Sequence, residues 1–90
     1  MLEKVKTALR IVTDEFNGEI TDLINAAKCD LQIAGVSNVS ETDPLIVRAI
    51  ILYCRMHFGQ PDDFDKLSES YDSLKARLMI ASGYTDYGQI

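Results

Sequence analysis

The sequence lacks most of the residue groupings on which catalytic and metal sites are built. Its only histidine is His57, and its two cysteines, Cys29 and Cys54, have neither paired spacing nor a second histidine nearby. A zinc site needs several such ligands at matched spacing, so no metal centre is expected. Phosphate-cradling glycine runs, a nucleophile elbow and an HExxH pair are also missing. These absences favour a protein that is not an enzyme and uses no cofactor.

Positive charge is also scarce. Ninety residues carry 9 Lys and Arg against 14 Asp and Glu, a formal net charge of −5. General nucleic-acid affinity requires clustered cations that displace counterions, so it is not expected here. The charge is uneven, because Lys4, Lys6 and Arg10 against Glu3 give residues 1–12 a local +2 and leave −7 for the remainder. This basic end either contacts an acidic flank of another copy or is simply a solvated first helix.

Long apolar runs are absent as well. No stretch reaches the roughly 20 apolar residues that cross a bilayer, and no apolar segment of a signal peptide opens the chain. We therefore expect a reduced, cytoplasmic protein without a membrane segment. No pattern indicates a strand, a repeat or a low-complexity segment. The length fits one domain, near the lower end of sizes that bury a sufficient core unaided.

The most apolar stretch, residues 44–58, is the candidate centre of the fold. It reads PLIVRAIILYCRMHF, and only four of its residues fall outside the apolar set. A helix that is apolar almost all the way round has no solvent face, so its neighbours must cover it on several sides. Asp43 is a suitable cap ahead of a proline at the first helical position, and Gly59 follows the other end. The stretch therefore predicts a central buried helix over about 44–58.

Three amphipathic patterns predict the helices around it. The first lies in residues 2–10. The second covers about 14–34, with Thr13 and Asp14 as suitable cap residues at its start, and stops at Gly35. The last carries an apolar stripe over 64–81. The expected fold is all-α, a four-helix small domain that includes residues 1–90, with a flexible C-terminal tail (84–90) that is extended or disordered. The predicted core consists of Leu45, Ile46, Ala49, Ile50, Tyr53, Phe58, Leu67, Tyr71, Leu74 and Leu78.

Two features of this pattern leave alternatives open. The second predicted helix carries a narrow apolar seam of Ala26, Cys29 and Ile33 on the side away from its main stripe, and this seam covers either the first helix or another subunit. Arg48 and Arg55 lie on one line of the central helix. Buried guanidinium groups need partners, so these pair either with carboxylates of the same subunit, such as Asp30 or Glu69, or across a subunit boundary.

Taken together, the segments resemble one family along most of the chain. The short first helix is followed by EITDLINAAKCDLQIAGV, DPLIVRAIILYCRMHFG and PDDFDKLSESYDSLKARLMIASGY. This order resembles the small tailed-phage head–tail connector proteins, also described as DNA-packaging or head-completion proteins. The likeness covers roughly residues 2–84. Its most specific parts are packing and capping residues: Ala26-Ala27 with Leu31 and Gly35, Asp43-Pro44-Leu45, the run 53–59, and Tyr71 with Leu74 and Leu78.

The resemblance implies a structural virion protein at the head–tail interface, present in the host cytoplasm during assembly. Such proteins form a ring, usually of about a dozen copies, below the portal protein. They extend the DNA channel and dock the next head-completion or tail protein, and the DNA would pass without tight binding. Many are monomers until they meet the portal. On this basis Tyr84 and Tyr87 are candidate partner-docking residues, and the candidate subunit interface consists of Lys4, Lys6, Arg10, Ala26, Cys29 and Ile33. A small helical adaptor, or less favourably a DNA-binding regulator, is the alternative.

Overall fold

The computed structural model describes residues 1–81 as four α-helices. They are α1 (Leu2–Leu9), α2 (Asn17–Ile33), α3 (Pro44–His57) and α4 (Phe64–Ile80). No strand occurs in this part of the chain. The all-α class and the four-helix order are therefore confirmed. The predicted tail, with Tyr84 and Tyr87, lies outside the described residues.

Helix α3 is the centre of the fold, as predicted. It packs against α1, α2 and α4, and Ile46, Ala49, Ile50 and Cys54 on it are fully buried. Asp43 caps its first turn, because its Oδ1 accepts hydrogen bonds from the backbone N–H of Leu45 (2.9 Å) and of Ile46 (3.4 Å). Such a cap contributes about 1 kcal/mol to stability.

Every helix contributes to the core around α3. The buried side chains outside α3 are Val5, Ile20, Ile24, Ala27, Leu31, Val36, Leu67, Tyr71 and Leu78. Burying one large apolar side chain stabilises the fold by about 1.5–3 kcal/mol, so this shared core outweighs any single cap or ion pair.

Most of the predicted core lies where the sequence indicated. Ile46, Ala49, Ile50, Leu67, Tyr71 and Leu78 are buried, while Tyr53, Phe58 and Leu74 are half-buried and pack against the core. Leu45 is the exception, because 46% of it is exposed. It lies in the first turn of α3 and borders a surface groove beside α4, where no other part of residues 1–81 covers it. The prediction for Leu45 was wrong because a continuous apolar run does not reveal where neighbouring helices leave a gap.

The start of α2 differs from the prediction. Helix α2 begins at Asn17 rather than at Asp14, and the backbone N–H of Asn17 donates to the carbonyl of Asp14 in a turn (3.2 Å). The Asp14 carboxylate does not cap α2, because it accepts a hydrogen bond from Lys6 instead. Asp14, which the local sequence predicts as a cap, therefore forms an ion pair with Lys6, eight residues earlier in the chain.

Two helix ends share one geometry with different residues. At the end of α2, Gly35 has φ 108°, and the backbone N–H of Val36 donates to the carbonyl of Leu31 (2.9 Å). This is the Schellman motif, in which two backbone hydrogen bonds close the helix. At the end of α1 the same left-handed position is held by Arg10 (φ 61°), with Ile11 N–H donating to Lys6 O (2.9 Å). A side chain at positive φ costs about 1 kcal/mol, so only the glycine ending was visible in the sequence.

Two glycines allow a backbone effect to be measured apart from packing. A Cβ added at Gly18 or at Gly59 meets no atom within 4 Å, but Gly18 is helical whereas Gly59 has φ 70°. We expect Gly18→Ala to raise the free energy of unfolding by about 0.5–1 kcal/mol and Gly59→Ala to lower it by about 1 kcal/mol. Urea titration followed by far-UV circular dichroism measures both. A change of the same sign in the two variants would contradict the assignment of these backbone conformations.

Candidate assembly surfaces

The outer face of α2 carries exposed apolar side chains. Ile33 is 86% exposed and Cys29 is exposed, on the side of the helix away from the buried Leu31. Ala26 is half-buried beside them. We call Cys29 and Ile33, with Ala26 at their edge, the α2 seam. Of the two alternatives left open above, the first is wrong: among residues 1–81 nothing covers Ile33, so the seam does not lie against α1.

The basic end of the chain is only partly available to a partner. Lys4 and Arg10 are exposed, and neither forms an ion pair within residues 1–81. Lys6, predicted to face another subunit, is instead buried in its own, with 5% exposed. Its stem packs in the core and its Nζ reaches Asp14 Oδ1 at 2.7 Å. The hydrogen bond and the charge of Lys6 together hold the pKa of the Asp14 carboxyl below its usual value.

Asp30 connects α2 to α4. Its Oδ2 accepts hydrogen bonds from the Tyr71 hydroxyl (2.5 Å) and from the Lys75 ammonium group (3.2 Å). Burial alone would raise the pKa of this carboxyl, but the bonds from Tyr71 and Lys75 and the Lys75 charge outweigh burial, so the pKa is lowered. Burial, reinforced by the bond to Asp30, raises the pKa of Tyr71, which keeps the hydroxyl as a donor. The apolar stripe of the sequence predicts Tyr71 as a core ring, but it carries no signal for this polar role.

The two arginines of α3 do not pair as predicted. Arg55 pairs within the subunit, but its Nη2 lies 3.8 Å from Asp63, just before α4, and not against Asp30 or Glu69. Arg48 is exposed and has no ion pair in the described part of the chain. The prediction assumed two buried guanidinium groups, and neither is fully buried, so neither requires an internal carboxylate.

A groove runs between α3 and α4, lined along α3 by residues 45–52 and along α4 by residues 69–81. It consists of two adjoining cavities of about 510 Å³ and about 440 Å³, both lined by Leu45, Leu74 and Arg77. We call it the α3–α4 groove. Its wall is apolar at the end of α4 and charged further along. The apolar end adds Leu78, Ile80 and Ala81, and the charged end adds Arg48 and Glu69.

The described residues offer little for reactive chemistry. Burial raises the pKa of the Cys54 thiol to about 12, so it remains protonated in the core. Residues 1–81 contain no group of three His, Cys, Asp or Glu side chains placed to hold a metal ion. Within the same range, no helix has the length and apolarity needed to span a membrane.

The chain matches a known protein family over most of its length. The sequence model of a family described as "Phage connector protein" matches residues 1–85. No curated protein and no solved structure matches the chain.

The Asp30 contact predicts a pH-dependent stability difference. We expect Asp30→Asn to lower the free energy of unfolding near neutral pH, because the variant loses the charge that pairs with Lys75. The expected loss is only about 1 kcal/mol, since the carboxylate is about a third exposed and solvent screens it. The pKa of Asp30 is lower in the folded state, so its contribution is complete above the ordinary value of 3.8 and is lost as the pH falls through the folded-state pKa. Denaturant titrations from neutral pH down to about pH 2 should show the gap between wild type and variant closing only in the acid range.

Asp22→Asn is the matched control on the same helix, because Asp22 is exposed and forms no ion pair within residues 1–81. A gap of equal size in this control, or a gap for Asp30→Asn that persists at the lowest pH, would contradict the role given to Asp30.

Proposed function

Because the chain belongs to the phage connector protein family, a family of structural virion proteins, we propose that it forms a ring below the portal protein. The ring extends the DNA channel and docks the next head-completion or tail protein. The observation that carries the proposal beyond the family is the α2 seam, an apolar surface on the outside of a folded subunit. An exposed isoleucine beside an exposed thiol has no role in the subunit's own core and suits contact between copies.

Charge supports a contact that joins two different surfaces. Lys4 and Arg10 are exposed cations without ion pairs inside residues 1–81, while Glu19 and Asp22 are exposed carboxylates on α2 near the seam. A basic surface of one copy that meets an acidic surface of the next is a heterologous contact. Repeated heterologous contacts close into a ring when the rotation permits. In a two-fold dimer the same two copies would have to make the basic-to-acidic contact twice, once on each side of the axis.

Contacts with the neighbouring proteins need segments outside the ring contact. We assign the contacts with these proteins to the loop 36–43 and to Tyr84 and Tyr87. The loop is anchored at both ends: Val36 is buried, and Glu41 forms an ion pair with Lys28 of α2. An anchored polar loop between two helices presents a defined shape, and tyrosines provide large contact areas at a small cost in side-chain entropy. The portal protein and the downstream head-completion or tail protein are the proposed partners.

The net charge suits a channel that DNA passes through without being bound tightly. At −5 overall, the subunit repels the phosphate backbone, and the cations near its start are few. A ring of such subunits would line a channel through which the duplex slides. This interpretation follows from charge alone and is independent of the surface by which copies meet.

The seam predicts a phenotype in assembly. We expect Cys29→Glu combined with Ile33→Glu to abolish ring formation on the cognate portal while far-UV circular dichroism remains that of the wild type. Two carboxylates placed in an apolar contact lose hydration without gaining a partner. Electron microscopy of portal rings mixed with each protein measures occupancy.

Gln60→Glu combined with Ala76→Glu is the matched control. It adds the same two charges at exposed positions that lie outside both the α2 seam and the basic end. Rings formed equally by the seam variant and the control would remove the α2 seam from the contact. If the wild-type chain leaves portal rings bare, the connector role itself is wrong.

The charge predicts weak binding to DNA. We expect the wild-type chain to show no retardation of duplex DNA in a gel at physiological salt and micromolar protein, because counterion release gains little for a protein of this charge. Tight binding under those conditions would contradict the sliding passage and favour a DNA-binding regulator.

A further inference from the structure

The α3–α4 groove is an apolar surface that the described chain leaves open. Ile80 is 85% exposed and Leu45 is 46% exposed, and both line the groove beside Leu74. Exposing such side chains to water is unfavourable in proportion to the apolar surface that is left unburied. The groove therefore favours an occupant that brings apolar side chains.

The groove also carries unpaired positive charge. Arg48 and Arg77 line it, and neither forms an ion pair within residues 1–81. Glu69 is the carboxylate on the same wall, which leaves a net charge of +1 from these three side chains. An occupant with a carboxylate among apolar residues would satisfy both features of the groove.

The segment that follows α4 has this composition. Residues 82–90 read SGYTDYGQI, with Tyr84, Tyr87 and Ile90 as large apolar side chains and Asp86 as the one charged residue. The segment also starts at the groove, because Ala81, the last described residue, lines its apolar end. Because this segment is covalently attached beside the groove, its effective concentration there is in the millimolar range.

The segment is long enough to double back. At about 3.3 Å per extended residue, residues 82–86 span up to about 16 Å. The return from Ala81 to Arg77 covers four residues of helix, about 6 Å. Asp86 can therefore reach the guanidinium group of Arg77, with Tyr84 placed over the apolar end near Ile80.

We propose that the α3–α4 groove binds residues 82–90 of the same chain, with Tyr84 and Tyr87 against Leu45, Leu74 and Ile80, and with Asp86 paired to Arg48 or Arg77. The unassembled subunit then shields the tyrosines that the proposed function assigns to partner docking. The contact is a property of the isolated chain, so its test does not depend on the connector role.

The chain contains no tryptophan, so Tyr84→Trp and Tyr87→Trp each give a single fluorescent reporter in the full-length protein. We expect blue-shifted emission and protection from acrylamide in at least one of them. Leu45→Asp with Ile80→Asp should abolish both effects. Ile33→Asp, at a position on the α2 seam that is as exposed as Ile80, should leave them unchanged. Circular dichroism checks that each variant is folded.

A charge exchange tests the polar contact. Arg77→Glu should weaken the protection of the reporter, and the further change Asp86→Lys should restore it. The proposal would be overturned if the tryptophan were solvated at both positions. It would also be overturned if the groove variants left the protection of the tryptophan from acrylamide unchanged. Protection that disappears on dilution, together with dimers in sedimentation, would assign the groove to a second copy and overturn the same-chain contact.

Discussion

The fold depends on one constraint, which is that the apolar side chains of α3 must be covered on several sides, since six of its 14 residues are buried. Its buried residues, among them Ile46, Ala49, Leu52 and Cys54, point in several directions around the helix. Three other helices pack against it to exclude water, and the order of the chain follows from that need. The short α1 would be marginal alone, and it is stable because Val5 is buried against the others. Removing cover from any side of α3 would expose apolar surface that nothing else can bury.

This constraint explains how much of the fold the sequence could predict. The near-continuous apolar run, the cap at Asp43 and the glycines at positions 35 and 59 are local signals, and each lies where it was expected. The misses involve residues whose roles are set at long range. Asp14 resembled a cap but pairs with Lys6, and Tyr71 resembled a plain core ring but donates to Asp30. Local rules cannot see a partner that is brought close only by packing.

The candidate surfaces were harder to predict than the core for the same reason. Helical spacing placed Cys29 and Ile33 on one face but could not tell whether α1 would cover them. Lys6 shows the opposite failure, because a charged residue on a basic helix was taken for a surface group while its stem is buried. A lysine can bury its stem and still present its charge to a partner, which composition alone does not reveal. The α3–α4 groove was missed altogether, since its shape depends on how two helices pack against each other.

The size of the seam bears on how subunits would assemble. Burying an exposed isoleucine fully contributes about 1.5–3 kcal/mol, and the neighbouring cysteine adds less. Association costs an estimated 4–15 kcal/mol in lost translational and rotational freedom. The seam alone therefore cannot hold two free copies together, and a net charge of −5 on each copy opposes their meeting. A platform that binds each copy separately removes most of that cost, because neighbours already held side by side associate at a high effective concentration. A weak seam on an acidic subunit thus favours assembly on a platform over assembly in solution.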